Sequence, residues 1–137
     1  MNILITGSDG FLGKNLIERL SKDNDINIMC FDKNTDINQL YDYLKKCDFV
    51  YHFAAIHRPV DPMDFYRVND DLFENIINKL KEYDNKCPIL LTSSIQATDS
   101  SDYGRSKAIA ENMLKRHAEK DNARAIIYRL SNIFGKW

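Results

Sequence analysis

Glycine and proline are scarce in this chain of 137 residues, with five and three copies. That rules out collagen-like, low-complexity or linker-dominated organisation and leaves one compact domain as the expectation. No apolar run approaches the roughly 20 residues a membrane-spanning helix needs, so no membrane partner is expected. Neither sign of charge dominates: 19 Lys and Arg face 20 Asp and Glu, for a net charge of −1. Without a basic block there is no electrostatic footprint for nucleic acid. Cysteine is limited to Cys30, Cys47 and Cys87, an odd number with no CxxC pair. Reduced, mostly buried thiols are expected rather than disulfides or a metal site. No His/Asp/Glu cluster has metal-ligand spacing, so no metal is expected. His52, at a strand end, reads as packed, and His117, on a helix, as exposed. A first strand starting at Asn2 leaves no room for a signal peptide, which points to the cytoplasm.

What the chain does have is a regular alternation of short apolar runs and helical patterns. Ile3–Thr6, Ile26–Phe31, Phe49–Ala54, Ile89–Thr92 and Ala125–Leu130 read as strands. Leu12, Leu16 and Leu20 recur at helical spacing after the first. Asp36 is suited to cap a helix carrying Ile37, Leu40 and Leu44 to about Lys46. Asp61-Pro62 marks the start of a helix to about Tyr83, and Tyr103–Lys120 reads as another. Strands alternating with helices imply right-handed βαβ units. The expected fold is α/β, a Rossmann-type doubly wound parallel sheet of about five strands with helices on both faces. Residues 1–137 read as one dinucleotide-binding domain, which a complete fold of this type would extend beyond Trp137.

Three of the five glycines fall in Thr6-Gly7-Ser8-Asp9-Gly10-Phe11-Leu12-Gly13, between the first strand and the first helix. In that position Gly7 allows a tight turn, Gly10 lets a pyrophosphate approach the backbone, and Gly13 lets helix and strand pack closely. The phosphates would meet free N–H groups at the positive helix end, around Phe11 and Leu12. Asp32 closes the second strand, 19 residues after Gly13. An acidic residue there accepts hydrogen bonds from the adenosine ribose and favours NAD over NADP. Lys33 beside it is suited to attract a 2′-phosphate instead, and Asp32 also reads as an ordinary turn residue.

Tyr103-Gly104-Arg105-Ser106-Lys107 is a YxxxK pattern near a helix start. Positions four apart share a helix face. A tyrosine of pKa about 10 is a poor acid–base at neutral pH, and a neighbouring ammonium is expected to lower that pKa. The spacing is common by chance, so its meaning comes from Leu91-Thr92-Ser93-Ser94 upstream. A strand ending in hydroxyls presents them at the carboxyl edge of a parallel sheet, where such folds bind ligands. Ser94 and Tyr103 can then donate to one substrate oxygen and stabilise its developing charge.

These residues resemble the extended short-chain dehydrogenases/reductases, the NAD-dependent epimerase/dehydratase family. The matching stretches are TGSDGFLG at 6–13, HFAA at 52–55, Asn69, TSS at 92–94, YGRSK at 103–107 and RLSNIFG at 129–135. A closer similarity lies in SSIQAT at 93–98, HRP at 57–59 and NIFGKW at 132–137. These resemble bacterial capsule and O-antigen enzymes that reduce a UDP-4-keto-6-deoxy-N-acetylhexosamine. The resemblance implies that Gly7, Gly10 and Gly13 hold the pyrophosphate, and that Asp36 and Ile37 flank adenine. Ala54 and Ala55 would line the cofactor channel, and Ser94, Tyr103 and Lys107 would form the catalytic set. Lys107 would also bind the nicotinamide ribose and be oriented by Asn69 through backbone and water. Asn132 would meet the sugar nucleotide. His57 and Arg58 would approach the sugar or its phosphates, or serve only as loop residues.

The implied function is an NAD(P)-dependent reductase of a nucleotide-activated 4-keto sugar in surface polysaccharide synthesis. Hydride would pass to C4 while Tyr103 supplies the proton. The alternatives are a 4-epimerase with tightly held NAD and a non-catalytic nucleotide-binding module. A 4,6-dehydratase fits less well, because Ile95-Gln96 stand after Ser94 where that chemistry usually has an acidic pair. Phe65, Val68, Leu72, Ile76 and Leu80 form one apolar stripe, with Phe73 and Ile77 in a second. One should cover the sheet. The other either widens that face or meets a partner in a homodimer through helices 62–83 and 103–120.

Overall fold

The computed structural model describes residues 1–56, 59–61 and 63–136, apart from the side chains of residues 65, 67 and 68. The expectations for His57, Arg58 and Pro62, and for the side chains of Phe65 and Val68, therefore lie outside the described residues. In chain order the elements are β1 (Asn2–Thr6), α1 (Phe11–Leu20), β2 (Asn27–Phe31), α2 (Ile37–Leu44) and β3 (Phe49–His52). A π-helical turn (Phe65–Asp70) then leads into α3 (Asp71–Glu82) and β4 (Ile89–Ser94). A 3-10 turn (Ile95–Thr98), α4 (Asp102–Asp121) and β5 (Ala125–Leu130) follow.

The five strands are parallel, in the order β2-β1-β3-β4-β5. Progress across the sheet reverses after β2, because β3 adds on the far side of β1. With right-handed crossovers, α1 covers one face and α2, α3 and α4 cover the other. The crevice for ligands in such a sheet opens at this reversal, at the carboxyl ends of β1 and β3.

The core lies under α2, α3 and α4, where Leu4, Val50, Ile89 and Leu91 of the sheet meet Leu40, Leu44, Phe73, Ile76, Leu80 and Leu114. Phe73 is fully buried and stacks on His52 with ring centroids 4.5 Å apart. A buried phenylalanine of this kind is worth about 3–5 kcal/mol against alanine. On the α1 face Ile3, Ile5 and Leu90 are buried outside that cluster. Local chemistry sets two helix starts. Asp36 accepts the Asn38 N–H at 2.7 Å to cap α2, and Ser101 accepts the Gly104 N–H at 3.0 Å to cap α4.

Two expectations need correction, for the helix from residue 62 and for His117. The helix expected from residue 62 to residue 83 begins in its described part as a π turn, with the Asp71 N–H reaching back to the Tyr66 carbonyl. Phe73 and Ile77, left open between an internal and a partner-facing role, are both buried in this chain's own core. His117 is buried, not exposed. The inward face of α4 runs Lys107, Ala110, Glu111, Leu114, His117 at spacings of three and four, and the His117 Nδ1 meets Asp121 at 2.8 Å. Cys47 and Cys87 are buried as expected, with sulfurs 3.6 Å apart, but Cys30 is exposed on the edge strand β2. Strand ends shift by one or two residues: β3 stops at His52 and β4 runs on to Ser94. Among the described residues no helix is long and apolar enough to cross a membrane.

One ion pair fastens α4 to the outer strands. Glu111 is buried and accepts from Ser93 Oγ at 2.6 Å, Arg129 Nε at 2.8 Å and Arg129 Nη2 at 2.7 Å. The Arg129 guanidinium, helped by Ser93, holds its carboxyl at about 2, below an ordinary value of 4.5. A depressed folded value means the pair stabilises fully above pH 4.5 and is lost as pH falls toward 2. Replacing Arg129 by Met leaves that carboxylate buried without its main partner. We expect a lower urea midpoint at neutral pH, and a smaller drop at pH 3, where unfolded Glu111 is already protonated.

Candidate active site

The glycine loop is built by steric necessity. Gly7 has φ +69°, and a Cβ there would lie 2.7 Å from the Ala54 nitrogen. A Cβ on Gly13 would overlap the Gly7 and Ser8 carbonyl oxygens. Gly13 therefore lets the helix close on the loop's own backbone, where the sequence pointed to helix–strand packing. Gly10 is the exception: a Cβ there would meet only the Gly7 oxygen, at 3.2 Å, and its side is otherwise open.

The loop is tied down on the β2 side. The Gly7 and Ser8 N–H groups donate to the Phe31 carbonyl at 2.9 and 3.4 Å, and the Asp9 N–H donates to Asp32 Oδ2 at 2.8 Å. α1 starts at Gly10 without a capping side chain. The first-turn amides of Phe11, Leu12 and Gly13 have no carbonyl within the helix to bond, and they sit at the positive end of its dipole. An open glycine in front of uncapped amides fits a diphosphate.

Asp32 has a second engagement that its spacing did not reveal. Oδ2 accepts the Asp9 N–H and Oδ1 accepts the Lys33 N–H at 2.8 Å. Each carboxylate oxygen keeps a lone pair for a hydroxyl donor. Asp36 likewise gives Oδ1 to its helix cap, and Ile37 follows it on the half-exposed first turn of α2. Past β3, the Ala54 N–H donates to Thr6 Oγ1 at 3.3 Å.

Ser94, Tyr103 and Lys107 come together at the carboxyl rim. A cavity of about 100 Å³ is lined by Leu12, Ala55, Ser94, Tyr103 and Lys107, so it runs from the glycine-loop helix to the YxxxK pair. A wider recess of about 700 Å³ is lined by Ser94, Gln96, Ser101, Tyr103 and Asn132. Ser94 and Tyr103 border both spaces. Their side chains are hydrogen-bonded to each other.

Electrostatics here differ from the sequence expectation in one respect. Burial pushes the Tyr103 phenol above its ordinary value, with the Ser94 hydrogen bond opposing. The neighbouring ammonium does not bring it below that value. Lys107 Nζ lies 5.7 Å from the centre of the Tyr103 ring and donates to the Thr92 carbonyl at 3.3 Å. Lys107 is itself buried, and burial pulls it down to about 8. His52, also buried, is held down at about 3, first by burial and then by the Lys107 charge. It is therefore neutral at pH 7, and its Nδ1 pairs with Thr6 Oγ1 at 2.9 Å.

Asn69 is buried, but its bonds go elsewhere than Lys107. Oδ1 accepts the Ile56 N–H at 2.8 Å, and Nδ2 donates to Ser106 Oγ at 3.3 Å. It fastens the segment after β3 to α4 one residue before Lys107. The sequence reading missed Asp70, the buried neighbour of Asn69, and the Thr92 carbonyl under Lys107. Asp70 falls in no motif, and the TSS stretch at 92–94 was read for its hydroxyls and not for the Thr92 carbonyl. Asn132 lines the wider recess at its exposed edge.

Comparison with known proteins gives a consistent result. A family model described as the NAD dependent epimerase/dehydratase family matches residues 3–137. The UDP-2-acetamido-2,6-beta-L-arabino-hexul-4-ose reductase of Pseudomonas aeruginosa is 34% identical over all 137 residues, which correspond to 37% of that protein. Among solved structures, the capsular polysaccharide assembling protein CapF from Staphylococcus aureus superposes with a TM-score of 0.87 at 39% identity, over 100% of this chain and 37% of its own. The UDP-glucuronic acid 4-epimerase from Bacillus cereus in complex with NAD gives 0.86 at 19% identity, over 98% of this chain and 58% of its own, a similarity of fold alone. The chain thus spans little more than a third of the curated relative it matches.

The contact at Gly13 is the most directly testable feature of the loop. A Gly13→Ala change has no space to relax into and forces backbone apart, so we expect about 1–3 kcal/mol of destabilisation. Faster amide hydrogen exchange should be confined to Gly7–Lys14. Unchanged exchange in a stable variant would show that the close approach does not exist.

Proposed function

From the premise that this chain belongs to the NAD-dependent epimerase/dehydratase family, we propose that it is the cofactor-binding part of a reductase of nucleotide-activated 4-keto sugars. The observation that carries this reading is the shared wall of Ser94 and Tyr103 between a narrow cavity, reaching Leu12 and Lys107, and the wide recess at Asn132. The narrow side suits a nicotinamide ring and the wide side a sugar.

In this reading the loop amides at Gly10–Gly13 hold the diphosphate of the dinucleotide, and Asp32 accepts from the adenosine ribose. Asp36 and Ile37 flank the adenine, and Ala54 and Ala55 line the channel between. The chemistry such a dinucleotide supplies is hydride, to the carbon bearing the reacting oxygen. Tyr103 gives its phenolic proton to that oxygen, while the Ser94 hydroxyl donates a hydrogen bond to it. Lys107 remains cationic near the phenol and steadies the phenolate left behind. A phenol held up by burial is protonated at neutral pH, which suits a proton donor. The reductive direction is favoured over a 4-epimerase because the chain is 34% identical to a UDP-sugar 4-keto reductase and only 19% and 21% identical to 4-epimerases. NAD is favoured over NADP because a 2′-phosphate would meet the Asp32 carboxylate.

The test uses the full-length gene product with a UDP-4-keto-6-deoxy-N-acetylhexosamine. Net consumption of NADH, exceeding that of NADPH, is expected. Tyr103→Phe should lower kcat by about 10²–10⁴-fold while leaving the NADH dissociation constant unchanged. Copurified NAD with sugar interconversion and no net cofactor consumption would replace the reading by an epimerase. NADH binding without any Tyr103-dependent turnover would reduce the chain to a nucleotide-binding module.

A further inference from the structure

Lys107 is not the only ionisable side chain buried under this rim. Asp70, the last residue of the π turn, is equally inaccessible: both residues are 6% exposed, so water screens neither charge well. The π turn packs two consecutive residues against α4 at one point, because Ser106 Oγ lies 3.3 Å from Asn69 Nδ2 and 3.5 Å from Asp70 Oδ1. Lys107 follows Ser106 directly. Wider helical turns of this kind recur at functional sites.

The other groups facing Lys107 are accounted for. Thr92 of β4 offers a carbonyl, Tyr103 of α4 its ring, and His52 of β3 a neutral imidazole. Asp71 lies next to Asp70 and acts on it as a like charge. Among the described residues, Asp70 is the carboxylate that acts on Lys107. A buried ammonium with no counter-charge sheds its proton, and a lone buried carboxylate takes one up.

We propose that Asp70 is a positioning residue, the buried counter-charge that keeps Lys107 cationic and seated at the Thr92 carbonyl beside Tyr103. The catalytic importance of this pair rests on the reductase reading above, but its existence does not. Burial pushes Asp70 up to about 6, with Ser106 and Lys107 opposing, and pulls Lys107 down to about 8, with Asp70 opposing. Below about pH 6 the carboxylate is lost, and above about pH 8 the ammonium is lost. The pair is fully charged only in the window between.

The test reads Lys107 directly in the full chain, by the pH dependence of trace acetylation followed by peptide mass spectrometry. With Asp70→Asn the Lys107 midpoint should move down by about one unit, giving roughly fivefold faster labelling at pH 7. Asp70→Glu should restore it, and the other lysines should not change. The reciprocal measurement is the Asp70 carboxyl titration by NMR, which should move up in Lys107→Gln. This arm still decides the matter if Asp70→Asn does not fold. In the active full-length protein, Asp70→Asn should also move the alkaline limb of kcat down with little change in KM. If neither midpoint moves when the partner is removed, the proposal is overturned. Coupled titrations in a protein without reductase activity would sink the functional reading alone. Uncoupled titrations in an active reductase would sink the pair alone.

Discussion

A charged amine held inside the protein is the constraint around which the rim of this sheet is organised. Lys107 is buried with its Nζ at the Thr92 carbonyl, and desolvation works against its charge. Its seat depends on the placement of α4 relative to β4, and several independent devices fix that placement. Ser101 caps the helix at one end. Further along, Glu111 binds Ser93 of β4 and Arg129 of β5 together. These polar ties are local and directional, and a smooth apolar contact would not set the depth of the helix as narrowly.

The same charge explains features that otherwise look unrelated. His52 stays neutral partly because Lys107 is close, so its ring can stack on Phe73 and bond Thr6 without adding a second cation to the interior. Tyr103 keeps its proton because burial outweighs the Ser94 hydrogen bond, with the ammonium 5.7 Å from the ring centre. The result is a site whose resting protonation state is set by desolvation first and by charge pairs second.

The fold class follows from features a sequence displays openly. Uninterrupted apolar strands alternate with amphipathic helices, and a glycine triplet stands at the first strand–helix junction. Gly7, Ser94, Tyr103 and Lys107 were legible because their chemistry is tied to fixed spacings. Asp70 was not, because its meaning comes from a contact with Ser106, 36 positions away. The π turn was hidden for a similar reason: Phe65–Asp70 carries no proline or glycine to announce it, and its Asn69 and Asp70 meet Ser106 of α4. His117 was misread because a helix of 20 residues can bury its last turn when a neighbouring helix end lies beside it, and Lys81 of α3 meets Asp121 there at 3.1 Å. The effect of Lys107 on Tyr103 was misjudged because spacing gives proximity but not burial.

The two spaces beside Tyr103 differ in a way that bears on specificity. The narrow one is lined by groups from α1, β4, α4 and the segment after β3, and it shares Ser131 and Ile133 after β5 with the wide one. The wide one has walls of Ile95, Gln96, Ser101, Asn132 and Ile133, drawn from a short 3-10 turn, the α4 cap and the segment after β5. Strands and helices therefore contribute more of the narrow space than of the wide one. Loop-built walls with few fixed charges hold a ligand class more readily than they single out one hexose. In the reading proposed above, selection of the sugar would come from groups that add to this recess. The relatives this chain matches have well over half their length outside the matched region in which to supply them.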